Sequence, residues 1–139
     1  MDYDLERFTL AQDQVMDAVR AELAAGNKTT HWMWFVFPQI AGLGLSSMSQ
    51  QYAITSLGEA RAYLAHPVLA FRLYECVNLA MSSGRSALQI FGPVDAQKLF
   101  SCLTLFDYVA VEPIFGQALA FFFCGARDQA TLTIAQTAA

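Results

Sequence analysis

Lys28-Thr29-Thr30-His31-Trp32-Met33-Trp34-Phe35-Val36-Phe37-Pro38-Gln39 decides how this chain is read, because it holds both tryptophans and is apolar on every side from Trp32 until Pro38 stops it. So short an apolar run is either a buried strand or two turns of buried helix, and periodicity alone does not separate them. The rest of the chain does. No second stretch of alternating polarity appears, and a lone strand would bury backbone N–H and C=O groups without partners. The segment is therefore expected to wind into a short helix sunk among its neighbours, with a few polar groups at its rim.

Upstream, Leu5, Phe8, Ala11, Val15, Ala18, Val19 and Leu23 recur three or four residues apart, while Asp13, Asp17, Arg20 and Glu22 fall largely elsewhere. That period predicts a helix over residues 4–25, capped by Asp4 and ended by Gly26-Asn27. Downstream, residues 42–52 are rich in Gly and Ser and read as a loop with one helical turn near its end. Ser56-Leu57-Gly58-Glu59 matches the capping box, in which hydroxyl and carboxylate each satisfy a free N–H, and opens a helix reaching residue 65. His66-Pro67 opens the next, since proline suits a first helical turn. Leu69, Leu73, Cys76, Val77 and Ala80 make its inner face, Arg72 and Glu75 are spaced to pair outside, and Ser82-Ser83-Gly84 ends it. Residues 86–91 give a short helical turn, Gly92-Pro93 a break, and a long helix follows over residues 95–111, apolar nearly all round and so central. Pro113 starts another that ends at Gly125, and Asp128 caps a last one carrying Leu132 and Ile134. The expected fold class is all-α: a single compact domain over residues 1–139, with about six to eight helices in a non-repeating, orthogonal bundle-like array.

Composition narrows the function classes. Hydrophobic residues make up 55% of the chain and charged ones 14%, against about 25% charged in ordinary soluble domains. Some apolar surface should therefore stay exposed, and a homo-oligomer is one expected use of it. The net charge is −4 and the eight Lys and Arg residues are scattered singly, which argues against nucleic acid, whose phosphates demand clustered cations. Residues 29–58 carry no charge, but Pro38, Gly42 and Gly44 interrupt them and serines follow, so no membrane span is expected. The acidic start Met1-Asp2-Tyr3-Asp4 lacks a signal-peptide pattern, which leaves the cytoplasm as the expected compartment. Cys76, Cys102 and Cys124 are odd in number, form no Cys-x-x-Cys pair and lie in apolar patterns. They read as buried free thiols, with no metal and no cofactor motif expected.

Two places invite chemistry. If the tryptophan segment is helical, His31, Trp34 and Phe35 share one side with Lys28 just ahead, and an imidazole and an ammonium beside an indole wall suit an anionic or aromatic ligand. The competing structural reading makes both tryptophans core anchors and His31 a hydrogen-bonded residue at a helix start. Asp107, the one carboxylate between residues 99 and 111, is either a general base oriented by His31 or Tyr108, or a partnered structural group.

The quoted stretch His31 to Gln39, followed by Gly42-Leu43-Gly44, Tyr52, Ile54, Ser56-Leu57, Glu59-Ala60-Arg61-Ala62-Tyr63-Leu64 and His66-Pro67-Val68-Leu69, resembles the bacterial domain-of-unknown-function family 1810, some members of which are labelled calpastatin. Asp4-Leu5, Arg7-Phe8, Ile90-Phe91-Gly92, Lys98-Leu99, Ser101, Thr104-Leu105-Phe106, Asp128 and Thr131-Leu132 extend the likeness over nearly the whole chain. The resemblance implies an all-helical single domain and no established activity. Phe100 departs from it, standing where many relatives are expected to carry a basic residue. The family motif adds Lys98 and Ser101 to His31, Trp34 and Gln39 as groups available to a pocket.

The function expected from this reading is a small-molecule binding module, its pocket walled by Trp32 or Trp34 and edged by Lys28, His31 and Gln39. The alternatives are an enzyme using His31 with Lys98 or Asp107 for acid and base chemistry, and a protein–protein interaction module.

Overall fold

Local punctuation sets several helix ends. The computed structural model describes residues 2–138, and among them it places nine helices: α1 (Glu6–Asp13), α2 (Met16–Ala25), α3 (Met33–Val36), α4 (Ser47–Gln51), α5 (Leu57–Ala65), α6 (Pro67–Ser82), α7 (Ala87–Val109), α8 (Ile114–Phe123) and α9 (Gln129–Ala138). The left-handed Gly26 closes α2, and its N–H bonds back to Leu23 O. Ser56 Oγ caps α5, and His66 Nδ1 caps α6 by accepting from Val68 and Leu69 N–H. Ser86 and Gln89 form a reciprocal capping box on α7.

The tryptophan segment is helical and sunk, as its sequence predicts. Trp32 and the α3 residues Met33, Phe35 and Val36 are buried, and so is Phe37 behind them. Past Pro38 the backbone runs extended for one step: Ile54 N–H donates to Gln39 O and Ala41 N–H to Ile54 O, each at 2.8 Å. This isolated parallel bridge between Ile40 and Ile54 closes the loop carrying α4.

Two expectations about helices are corrected, and a third is met with a difference. The helix expected over residues 4–25 breaks at Gln14 and Val15 into α1, which packs on α3 and α6, and α2, which packs on α6. Arg72 and Glu75 do not pair along α6. Arg72 reaches Asp13 Oδ1 at 2.7 Å and Gln12 Oε1 at 3.3 Å, while Glu75 accepts from Arg20 Nε at 2.9 Å, so each ties α6 to a neighbouring helix. The break expected at Gly92-Pro93 is present as a kink at Gly92 (φ 77°), across which the turn at residues 86–91 runs on into the long central helix as α7. Only glycine takes that angle without strain, and Pro93 then suits the first position of the second half. Next to the kink, Ile90 O accepts Lys28 N–H at 2.8 Å, which ties α7 to the segment after α2.

The core is one continuous cluster running from Phe8 to Ala135, to which every helix except α4 and α9's outer faces contributes; α7 lies at its centre with Leu99 and residues 101–106 buried. A strip of rings stays partly uncovered on α7 and α8: Phe100, Phe123, Phe122 and Phe121 follow one another at 4.7, 6.2 and 4.8 Å between centroids. Phe100 thus extends an aromatic strip. The thiols divide two to one. Cys76 and Cys102 are buried, and desolvation pushes Cys76 up to about 12 and Cys102 well above the usual thiol value. Cys124 is exposed, against expectation, because α8 ends on it in a left-handed turn (φ 55°) that turns away from the core. Among the described residues no helix is long and apolar enough to cross a membrane.

Candidate functional site

Around the tryptophan segment the polar groups hold one another. Trp32 donates its indole N–H to Glu22 Oε1 at 3.1 Å, and the same carboxylate accepts Thr29 N–H at 2.7 Å, Thr30 N–H at 2.9 Å and the Thr30 hydroxyl at 2.6 Å. Partial burial raises the pKa of Glu22, but hydrogen bonds from Thr30, Thr29 and Trp32 outweigh it and leave a value of about 2. Lys28 binds Asp95 Oδ2 at 2.9 Å and Thr30 O at 2.7 Å, with its ammonium 5.0 Å from the Trp32 ring centre. Lys98 lies 3.8 Å from Asp95 Oδ1 and 5.1 Å from the centre of the half-buried Trp34 ring.

Four expected site residues, Lys28, Trp32, Trp34 and Lys98, therefore meet around Asp95. The other three do not join them by any hydrogen bond among the described residues. α3 begins at Met33, so His31 falls outside the helix, exposed, and does not share a helical face with Trp34. Gln39 is half-buried beside the Ile40–Ile54 bridge. Ser101 is buried and donates to Asp128 Oδ2 at 2.7 Å, where the Thr131 hydroxyl also donates at 2.6 Å, so it fastens α7 to the start of α9. Asp107 pairs with Arg127 Nε at 3.1 Å, the partnered structural position.

A concavity of about 290 Å³ opens where the amino-terminal residues meet the chain between α4 and α5. Its floor is the pair of Arg7 on α1 and Glu59 on α5. Arg7 Nη1 and Nη2 donate to the two Glu59 oxygens at 2.9 and 3.1 Å, a bidentate fork. Arg7 also donates to Gln51 O at 3.0 Å, to Ala53 O at 2.8 Å and to Asp4 O. Glu59 is only 1% exposed and accepts Thr55 N–H at 2.8 Å. Burial raises its pKa, while the Arg7 hydrogen bond, the Thr55 N–H and the Arg7 charge lower it further, so it stays below the usual carboxylate value. The expected capping box is thus half formed: Ser56 Oγ accepts Glu59 N–H at 3.1 Å, but the carboxylate reaches Thr55 and Arg7 rather than Ser56 N–H.

Tyr3 walls one side. It lies against Gly58, where a Cβ would run into the Tyr3 hydroxyl, so the missing side chain is what admits the ring. Asp2, Asp4, Gln50 and Gln51 make the rim. None of these lining residues was singled out for a site from sequence. Arg7 reads there as one cation on an amphipathic helix and Glu59 as a cap, and no spacing rule joins groups 52 positions apart.

The family model described as protein of unknown function (DUF1810) matches residues 2–135. No curated protein matches the chain. Among solved structures, the crystal structure of the conserved hypothetical protein Rv1873 from Mycobacterium tuberculosis is similar at 46% identity and a TM-score of 0.94, with 96% of this chain and 97% of that one covered. With the model spanning nearly the whole all-helical domain, the chain belongs to the DUF1810 family.

Proposed function

We propose that this protein is a small-molecule binding module whose ligand sits in the concavity above Arg7 and Glu59. One observation carries the reading: a cavity of about 290 Å³ stands on a buried, bidentate ion pair and is rimmed by polar side chains. That volume is near the lower end of the range for ligand pockets. A floor held by five hydrogen bonds from one guanidinium is pre-organised, which lowers the entropic cost of binding. Acid–base catalysis by His31 finds less support, because His31 makes no hydrogen bond to Lys98 or Asp107 among the described residues and Asp107 is engaged by Arg127. The buried thiols Cys76 and Cys102 fit a cytoplasmic protein.

A second reading keeps the ligand at the tryptophan segment, favoured by the Lys98 ammonium over the half-buried Trp34 ring. Thermal-shift screening of a fragment library, with hits mapped on backbone amide resonances by NMR, separates the two. A ligand at a hundred times its dissociation constant adds about 2.7 kcal/mol to native stability. Hits that move the Gln51, Ala53 and Thr55 amides support the concavity, and hits that move Trp34 and Lys98 support the second reading. A library that moves neither set defeats both.

A further inference from the structure

Resting on that reading, we infer that the concavity takes a compact organic cation, an alkylammonium or guanidinium, and rejects carboxylates and phosphates despite the arginine in its floor.

The two features that would draw an anion are already occupied. Arg7 has five N–H donors, and all five are directed at protein acceptors: Nε to Gln51 O, Nη1 to Asp4 O and Glu59, Nη2 to Ala53 O and Glu59. Admitting an anion would break one of these bonds beside a buried carboxylate. At the N-terminus of α5, Glu59 N–H is taken by Ser56 Oγ, and the Glu59 carboxylate, which accepts Thr55 N–H, stands against an incoming anion.

Every charged group left open is an acceptor, the remaining free donors being the neutral Gln51 amide and Tyr3 hydroxyl. The exposed Asp2 and Asp4 carboxylates donate nothing and accept no side-chain hydrogen bond among the described residues. Gln50 commits its Nε2 to Leu45 O at 3.0 Å, which leaves its Oε1 free. Three carboxylates against one guanidinium give the lining a net charge of −2, in a chain whose own net charge is −4. A bare metal ion is a poorer match than an organic cation. Among the described residues no three His, Cys, Asp or Glu side chains converge to hold one, whereas an ammonium brings its own hydrogens to scattered oxygens.

The test uses the full chain with butylammonium, methylguanidinium, acetate and inorganic phosphate, followed by melting point and amide NMR at low and high salt. Both cations are expected to raise the melting point and move the Gln51, Ala53 and Thr55 amides, with affinity falling as salt rises. Asp4→Asn should weaken cation binding about twofold to fivefold, as for one exposed charge, and Asp2→Asn combined with it should weaken binding further. Both side chains are exposed, and Asp4→Asn keeps the backbone carbonyl that Arg7 uses, so the variants should fold as the parent does. Anions moving the same amides, or cations binding the double variant undiminished, overturn the inference. A neutral fragment that binds there while both cations fail overturns it too and leaves the binding-module reading standing. Failure of every class at those amides removes both.

Discussion

Trp32 and Trp34 sit two residues apart yet stand in different environments. Trp32 is fully buried, donates to Glu22 and packs its ring near Phe37 and Phe91. Replacing it with alanine should cost on the order of 3–5 kcal/mol, as large-to-small core changes do. Trp34→Ala should cost clearly less, because apolar stabilisation scales with the area removed from water and part of that ring is already wet. Urea unfolding of the two variants side by side checks the order, and equal losses would show that Trp34 is as deeply held as Trp32. Nothing in the quoted stretch ranks the two rings, since a run apolar all round carries no face. The ranking comes from α3 starting at Met33, which turns Trp32 inward as the residue before the helix. Asp107 is ambiguous in sequence for a similar reason: its partner Arg127 lies in the loop between α8 and α9, and Gly116 on α8 makes room, since a Cβ there would stand 3.1 Å from Asp107 Oδ1.

Between elements, carboxylates act as knots. Glu22 at the end of α2 gathers Thr29, Thr30 and Trp32, so it sets the path of the connection into α3. Its folded value of about 2 lies below the ordinary 4.5. On acidification the unfolded chain therefore takes up the proton first, so the stabilisation is complete above about pH 4.5 and disappears as the pH falls towards 2. Glu22→Gln should lower the urea midpoint at neutral pH and narrow the gap between neutral and acid midpoints relative to the parent. An unchanged gap would mean that the carboxylate is not linked to folding. Glu59 shifts in the same direction and remains in the variant, so the difference between the two proteins isolates Glu22. At this scale the sequence is informative wherever an end is marked locally, as at Gly26, Ser86, Gly92-Pro93 and His66-Pro67. It is silent where packing chooses, as at the break before Val15 and in the partners of Arg72 and Glu75.

Across the whole molecule, the all-helical fold was legible because a sparsely charged chain with regular apolar spacing and no stretch of alternating polarity has few other ways to bury its surface. The concavity was not, because it exists only once α1 and α5 bring Arg7 to Glu59 and Gly58 admits Tyr3. One consequence concerns handling in air. With Cys76 and Cys102 shut inside and Cys124 outside, each molecule offers a single thiol for disulfide formation. Aerobic ageing should therefore convert the protein on a non-reducing gel to a band of twice the monomer mass and go no further, because one linkage exhausts both participants. Cys124→Gly should abolish that band while relieving a left-handed backbone turn that suits glycine better, and a ladder of heavier bands would mean that an inner thiol is reached.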